Sequence, residues 1–221
     1  IATAYLSRVR STRNRQEHLW SSFISLRNLV DCCSMSKEDW TQNTLPVLLG
    51  DAGLWPWKEG EIVSVLDVAC GLSLKSKYIP TQIRVGVDIH EPYFKHIETD
   101  VPYVVVKHDV RTLREIFTPK SFDLVIAIDI IEHITKEEGL ELMKQCEEIA
   151  RKAVIFETPK GYVPQDIDIQ GHGGDEWQTH RSGWDVTDFT ERGYKVIERD
   201  YKMSDAKRHT ELEVAEDVVL I

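Results

Sequence analysis

Short apolar runs that alternate with helical segments from Glu61 onward are the feature that most constrains the fold of this chain. Each run is rich in β-branched residues and has the length of a strand buried in a parallel sheet. Strands separated by helices form βαβ units, so we expect a doubly wound α/β fold whose ligand lies at the carboxyl ends of the strands. Five such strands are predicted: Ile62–Val68, Ile83–Asp88, Tyr103–Lys107, Phe122–Ile128 and Ala153–Glu157.

The clearest helix is predicted at Lys136–Arg151, with Thr135 as its N-cap. A shorter helix, which stops before Pro80, is expected after the first strand. Helical periodicity assigns one face of the long helix to the core. With Ile149 beside them, the residues of that face are Leu140, Met143, Glu147 and Ala150.

The end of the chain has a different pattern. A short helix is expected at Thr187–Arg192, and strands are expected at Tyr194–Tyr201 and Ala215–Ile221. No convincing helix separates these two strands, so the simplest arrangement for them is antiparallel.

Residues 1–60 are polar and have helical periodicity, which separates them from the rest of the chain. Four arginines near their start form either a solvated helix face or a clamp for an anionic substrate or surface: Arg8, Arg10, Arg13 and Arg15. We therefore expect an N-terminal helical extension or cap at residues 1–60 and a ligand-binding domain at residues 61–221.

The net charge of −10 over 221 residues disfavours a general role in coating DNA or RNA. No apolar run reaches the roughly 18 residues of a membrane-spanning helix. None of the cysteines forms a CxxC pair, which favours a reducing, cytoplasmic location: Cys32, Cys33, Cys70 and Cys146. The chain begins with Ile1 rather than Met, so we expect further residues upstream.

The turn after the first predicted strand is the most informative segment. Asp67 ends the strand, and the small residues that follow allow a ligand to approach the backbone closely. Asp88 follows 21 residues later, at the tip of the second strand. An acid at about this spacing typically binds ribose hydroxyls.

Residues 62–158 resemble the class I S-adenosylmethionine-dependent methyltransferases. The first motif of that family is a strand that ends in an acid and is followed by glycines at alternating positions, which here are Ala69, Gly71 and Ser73. Four further segments resemble the later motifs and follow in the family's order: Val85–Ile89, His108–Val110, Phe122–Ile134 and Ala153–Pro159. The resemblance implies a mostly parallel seven-stranded sheet with an antiparallel C-terminal hairpin, preceded by N-terminal helices.

The resemblance also implies S-adenosylmethionine as the cofactor. Asp88 would hold the ribose and Asp109 the exocyclic amine of the adenine. The whole predicted cofactor site comprises Asp67, Ala69, Cys70, Gly71, Asp88, Ile89, Asp109, Val110, Asp129 and Ile130.

The reacting face is expected at the ends of the fourth and fifth strands, where Asp129, Glu132 and His133 lie. His133 has a pKa range suited to a general base. Alternatively, the Glu132-His133 pair, which is frequent in this family whatever the substrate, orders the loop and packs the next helix. A third alternative is a divalent-metal site formed by these residues with a later histidine, because some methyltransferases with a similar acid-x-x-Glu-His segment use a divalent metal. The sequence alone assigns no metal ligand.

The segment Pro159–Trp184 is long for a connection and is predicted to be a lid or substrate loop. His172 and His180 lie in it and are predicted to join His133 in catalysis. The alternative is a surface loop that Trp177 and Trp184 hold in place.

We therefore predict a methyltransferase that acts on an oxygen or nitrogen atom of a small molecule. The alternatives are a non-catalytic cofactor-binding protein with a degenerate site, a nucleic-acid or protein methyltransferase, and a nicotinamide oxidoreductase. Both a monomer and a homodimer stay open.

Overall fold

The computed structural model describes residues 62–73, 76–98, 102–200 and 216–220. The extension predicted for residues 1–60 lies outside the described residues. The strands form one sheet in the order β3-β2-β1-β4-β5-β7-β6. They span β1 Ser64–Val68, β2 Ile83–Asp88, β3 Val104–Lys107, β4 Phe122–Ile128, β5 Ala150–Pro159, β6 Val196–Asp200 and β7 Glu216–Leu220.

The first five strands are parallel, which confirms the predicted α/β fold. β1 pairs in parallel with both β2 and β4, and the chain moves outward to β3 before it crosses back to β4. The strand order therefore reverses between β1 and β4. A crevice forms at such a reversal, outside the carboxyl ends of the strands, and is the usual ligand site of this architecture.

Helix α1 spans Lys136–Ile149, and the predicted Thr135 cap is present, because the Thr135 side chain accepts a hydrogen bond from the Glu138 backbone N–H. The predicted buried face is correct at Met143, Ile149 and Ala150, but Glu147 is exposed and Leu140 is only partly buried. The face that packs on the sheet consists of Leu142, Met143, Cys146 and Ile149.

The predicted end of α1 at Arg151 is also wrong. Ala150 has extended backbone angles and pairs with Phe122 of β4, so the fifth strand starts there rather than at Ala153. Lys120 supports the junction, because its ammonium donates hydrogen bonds to the carbonyls of Glu147 and Ala150. Pairing with β4 thus ends the helix before its sequence periodicity ends.

The connections that follow β1, β2 and β3 each contain a short 3-10 segment. They span Ser76–Tyr78 after β1, Glu91–His96 after β2 and Val110–Glu115 after β3. A fourth 3-10 turn, Ile131–His133, follows β4. It brings Glu132 and His133 to the carboxyl end of the sheet.

The chain after β5 returns to the same edge. Helix α2 spans Asp175–Gln178, and helix α3 spans Val186–Thr190, which is shorter than the predicted Thr187–Arg192. β7 pairs antiparallel with both β5 and β6. Within the described part of the chain, no helix is long and apolar enough to cross a membrane.

Candidate active site

The loop after β1 adopts the tight turn that the first motif predicts. Ala69, Gly71 and Ser73 have φ angles of +57°, +48° and +56°. These angles lie in the left-handed region that favours glycine and costs about 1–2 kcal/mol for other residues. The chain therefore keeps a glycine-like backbone at Ala69 and Ser73. A Cβ built on Gly71 would meet no atom within 4 Å, so this backbone faces open space.

Asp88, at the tip of β2, is held rigidly beside that loop. Its carboxylate accepts one hydrogen bond from the Gly71 N–H and one from the His90 N–H, each 2.8 Å long. Burial raises the pKa of Asp88, while the two backbone donors favour the ionised form. Each oxygen keeps a lone pair for a ligand hydroxyl.

Asp67 lies below the loop and is buried. Its Oδ2 accepts hydrogen bonds from the hydroxyls of Ser76 and of Tyr103, the latter at 2.9 Å. Ser73 contacts Ser76 through their hydroxyl groups at 2.7 Å. Burial raises the pKa of Asp67 to about 6, and the two hydroxyl donors oppose this rise.

Cys70 is buried between the loop and β2. A Cβ on Gly86 would come within 2.7 Å of the Cys70 sulfur and of the Tyr103 ring, so only glycine fits there. Burial raises the pKa of the Cys70 thiol far above its ordinary value, and the nearby Asp67 adds to the effect. The thiol is therefore neutral and packed.

Asp109 begins the 3-10 segment after β3 and accepts a hydrogen bond from the Arg111 N–H. The Arg111 guanidinium contacts both carboxylate oxygens of Asp109 and also contacts Glu138, at 3.1 Å. Burial opposes the charged form of Asp109, but the contacts with Arg111 outweigh it and lower the pKa of Asp109. This charged group borders the cleft below β3.

The residues after β4 form the opposite wall. Asp129 has a φ of +51°, which turns the chain sharply into the Ile131–His133 segment. Glu132 is buried and accepts a hydrogen bond from the Thr158 hydroxyl at 2.8 Å. His133 is also buried, and its Nε2 lies 3.9 Å from Glu132 Oε1.

The ring of His133 packs edge-on against that of His180, with ring centroids 4.6 Å apart. Burial, and then the neighbouring His180, lowers the pKa of His133 to about 3. Burial lowers the pKa of His180 as well. A group with so low a pKa is a weak proton acceptor at neutral pH, which argues against the predicted role of His133 as a simple general base.

The segment between β5 and α3 covers this wall. The N–H groups of Arg181 and Ser182 donate hydrogen bonds to the Glu132 carbonyl at 2.7 and 3.1 Å. The Arg181 guanidinium donates to the His133 carbonyl, and the Trp184 indole donates to the Ile131 carbonyl. His172 lies elsewhere in the segment, stacked on His96 with ring centroids 3.9 Å apart.

These elements enclose a cavity of about 310 Å³ at the carboxyl ends of the strands. Asp67, Cys70, His172 and His180 do not line it. Eight of the predicted cofactor residues and His133 do: Ala69, Gly71, Asp88, Ile89, Asp109, Val110, Asp129, Ile130 and His133.

The sequence pattern does not predict several of the residues that line the cavity. Thr135 is predicted only as a helix cap, and it forms a capping box with Glu138. Arg111 directly follows the third motif, and its charge was the available signal. The additional lining residues are Tyr93, Arg111, Ile134, Thr135, Glu138, Trp177, Gln178 and Arg181.

A parallel sheet with a cleft at its strand-order reversal and an acid at the tip of β2 is the Rossmann-like arrangement in which nucleotide cofactors commonly bind. Residues 66–156 match the sequence profile of the methyltransferase domain family. With this fold, the match supports a class I S-adenosylmethionine-dependent methyltransferase domain, in which the methyl donor is S-adenosylmethionine.

Solved structures show the same fold. An S-adenosylmethionine-dependent methyltransferase from Clostridium acetobutylicum ATCC 824 is 11% identical over 85% of this chain and 92% of that chain, with a TM-score of 0.54. A protein from Bacillus halodurans C-125 that is classed as a methyltransferase is 12% identical over 78% of this chain and 96% of that chain, with a TM-score of 0.51. A search of curated protein sequences gives no match.

The residues of the cavity fit this cofactor. The open space over Gly71 lets a ligand touch the backbone of the loop, and the fixed carboxylate of Asp88 offers acceptors to a diol. When bound, S-adenosylmethionine supplies an electrophilic methyl group on a positively charged sulfur. The carboxylates of Asp88, Asp109 and Asp129 along the walls suit that positive charge.

Proposed function

We propose that this methyltransferase acts on an oxygen or nitrogen atom of a small molecule. The observation that carries the proposal is that Trp177, Gln178 and Arg181 line the cavity beside the residues proposed for the cofactor. A volume of about 310 Å³ lies at the lower end of the range for small-molecule sites, about 300–1,000 Å³. Because this volume also has to hold the cofactor, it leaves little room for the acceptor, which favours a small molecule over a polymer.

The charge of the chain also supports a small acceptor. The net charge of −10 opposes the neutralisation of phosphates that a nucleic-acid substrate requires. Inside the cavity, the Arg111 guanidinium is already paired with Asp109 and Glu138. Arg181 reaches the cavity as a second cation and is a candidate for contacting an acidic or polar group of the acceptor.

For the cofactor, we propose direct contacts from the eight predicted residues that line the cavity, with Asp88 on the ribose and Asp109 near the adenine. Asp67 and Cys70 then have a different role from the one predicted. Their side chains lie under the loop and hold it in shape through Ser76, Tyr103 and Gly86.

For catalysis, we propose that His133 and His180 act at the reacting end as neutral rings rather than as simple general bases, since their rings are in contact and His133 borders the cavity. His172 is next to Tyr93, with ring centroids 6.1 Å apart, and Tyr93 lines the cavity. We assign His172 to the rim, where it would contact the acceptor.

For the rest of the chain, we propose that residues 1–60 form a helical cap over the domain at residues 61–221. We also propose that β6 and β7 form the C-terminal hairpin of a seven-stranded sheet, with which their antiparallel pairing agrees. A reducing, cytoplasmic compartment suits Cys70 and Cys146, which are free and buried.

The test is a transfer assay with S-adenosylmethionine that carries a labelled methyl group. Three acceptor pools are compared: metabolites below about 1 kDa, total RNA and total protein from the same cells. We expect label in the metabolite pool only, and no transfer by Asp88→Ala. Label confined to RNA or protein, or no transfer to any pool by a protein that binds the cofactor, would overturn the proposal.

A further inference from the structure

We propose that Glu132, His133 and His180 form a binding site for one divalent first-row transition-metal ion beside the methyl-transfer cavity. One potential ligand atom from each of these side chains lies within 4.8 Å of the others, and all three residues are buried. The inference rests on the proposed function for the role of the ion, although binding of the ion stands on its own geometry.

The spacing is close to that of a metal site. Two ligand atoms that share an ion at about 2.1 Å each are about 3–4.2 Å apart. His133 Nε2 and Glu132 Oε1 are 3.9 Å apart, which falls within this range. The three side chains come from two segments, the turn after β4 and the loop after α2, so the tertiary fold brings them together.

Two of the three side chains are oriented by a second contact, as metal ligands usually are. Val163 offers only a carbonyl oxygen to His180 Nδ1, at 2.6 Å, so Nδ1 must donate the hydrogen. The neutral ring then carries its free lone pair on Nε2. The Thr158 hydroxyl similarly fixes Glu132 through Oε2.

The third side chain, His133, has one buried ring nitrogen, Nδ1, that lacks a hydrogen-bond partner of normal geometry among the described residues. A buried polar atom without a partner costs about 1–3 kcal/mol, and such atoms are uncommon in native proteins. Nδ1 is not the nitrogen that faces Glu132, so the metal site rests on the spacing of the three side chains.

The ligand set selects the kind of ion. Two imidazoles and one carboxylate suit zinc, cobalt, manganese or iron, whereas magnesium and calcium prefer oxygen ligands. Three protein ligands leave at least one coordination position open, as in catalytic metal sites. Because His133 borders the cavity, an ion held by these residues would supply a Lewis acid beside the site of the acceptor.

The test is calorimetric titration of the metal alone, as Co²⁺ or Zn²⁺, into the full chain after chelator treatment. A Cys32→Ser/Cys33→Ser background removes two thiols, a ligand type that also suits these ions. We expect one ion per chain, with Mg²⁺ binding about 100-fold more weakly. Glu132→Gln, which keeps an acceptor for Thr158, and His180→Gln are each expected to weaken Co²⁺ binding about 100-fold or more.

The matched control is His108→Ala, because the His108 ring contacts Thr112 outside the cluster. It should bind Co²⁺ as the background protein does. If His180→Gln fails to fold, the visible absorption of Co²⁺ in the background protein and in Glu132→Gln gives the same answer. Absence of stoichiometric binding, or equal affinity in Glu132→Gln and the background protein, would overturn the site.

A parallel titration of metal-free protein with S-adenosylmethionine separates this inference from the proposed function. Cofactor binding without metal binding refutes the metal site alone. Metal binding without cofactor binding leaves the site standing and refutes the function assigned to it.

Discussion

Asp67→Asn should stabilise the protein at neutral pH, because the carboxylate of Asp67 is ionised there while it is buried. The pKa of Asp67 is raised from its ordinary 3.8 to about 6 by burial. For an acid whose pKa is raised in the folded state, the stabilising contribution is complete below pH 3.8 and disappears as the pH rises to about 6. Above pH 6 the difference between the two pKa values corresponds to a cost of about 3 kcal/mol.

Asparagine keeps an acceptor for Ser76 and Tyr103 but carries no charge. The free energy of unfolding of Asp67→Asn relative to wild type should therefore rise by about 1.4 kcal/mol between pH 5 and pH 7.5. Urea unfolding at both pH values measures this. Asp166→Asn, at an exposed position, loses the same charge and is the matched control, with an expected difference from wild type within about 0.5 kcal/mol. A gain for Asp67→Asn that is equal at both pH values, or that falls as the pH rises, refutes the reasoning.

Two further predictions concern the loop and the core. Gly71→Ala should lose about 1 kcal/mol of stability and about tenfold or more in cofactor affinity, because its methyl group would enter the cavity. The control is Gly193→Ala, with a φ of +86°, which should lose similar stability but no affinity in a calorimetric titration with the cofactor. An equal loss of affinity in the two variants would contradict the assignment of Gly71 to the cavity. Trp184→Ala should lose about 3–5 kcal/mol in urea unfolding, since this indole is fully buried and donates to the Ile131 carbonyl; a loss below about 1 kcal/mol would contradict its place in the core.

The sequence predicts the parallel strands well because each is a short apolar run between polar or glycine-containing turns. β2 and β4 span the predicted residues, because a strand buried on both faces shows its full length as hydrophobic sequence. The boundary between α1 and β5 was missed for a physical reason. Helical periodicity continues through Ala150, and only pairing with Phe122, which lies 28 residues away along the chain, ends the helix there.

The same distinction applies to the candidate site, because the positions of its residues at strand ends follow from the sequence, whereas the directions of their side chains do not. Asp88 is the last residue of β2 and Asp109 lies two residues after β3, so a strand pattern is enough to bring them to one edge of the sheet. The direction of a side chain at the same edge is not encoded in that pattern. Asp67 is turned under the loop by Ser76 and Tyr103, and Tyr103 comes from a different strand connection.

The pairing of His133 with His180 depends on the path of the loop after β5, which no local pattern specifies. The loop returns because the backbone N–H groups of Arg181 and Ser182 bond to the Glu132 carbonyl. A sequence of polar and glycine residues is compatible with many such paths. The sequence therefore gives the chemistry of the loop but not the partner that each histidine meets.

The central claim is that the cavity at the strand-order reversal binds S-adenosylmethionine through Asp88. Calorimetric titration of wild type and Asp88→Ala with S-adenosylmethionine, its demethylated product and NAD tests this most directly. We predict that the first two bind the wild-type protein with Kd values of about micromolar, that NAD does not compete, and that Asp88→Ala weakens both by about tenfold or more. Wild-type protein that prefers NAD, or equal affinity in Asp88→Ala and wild type, would contradict the account.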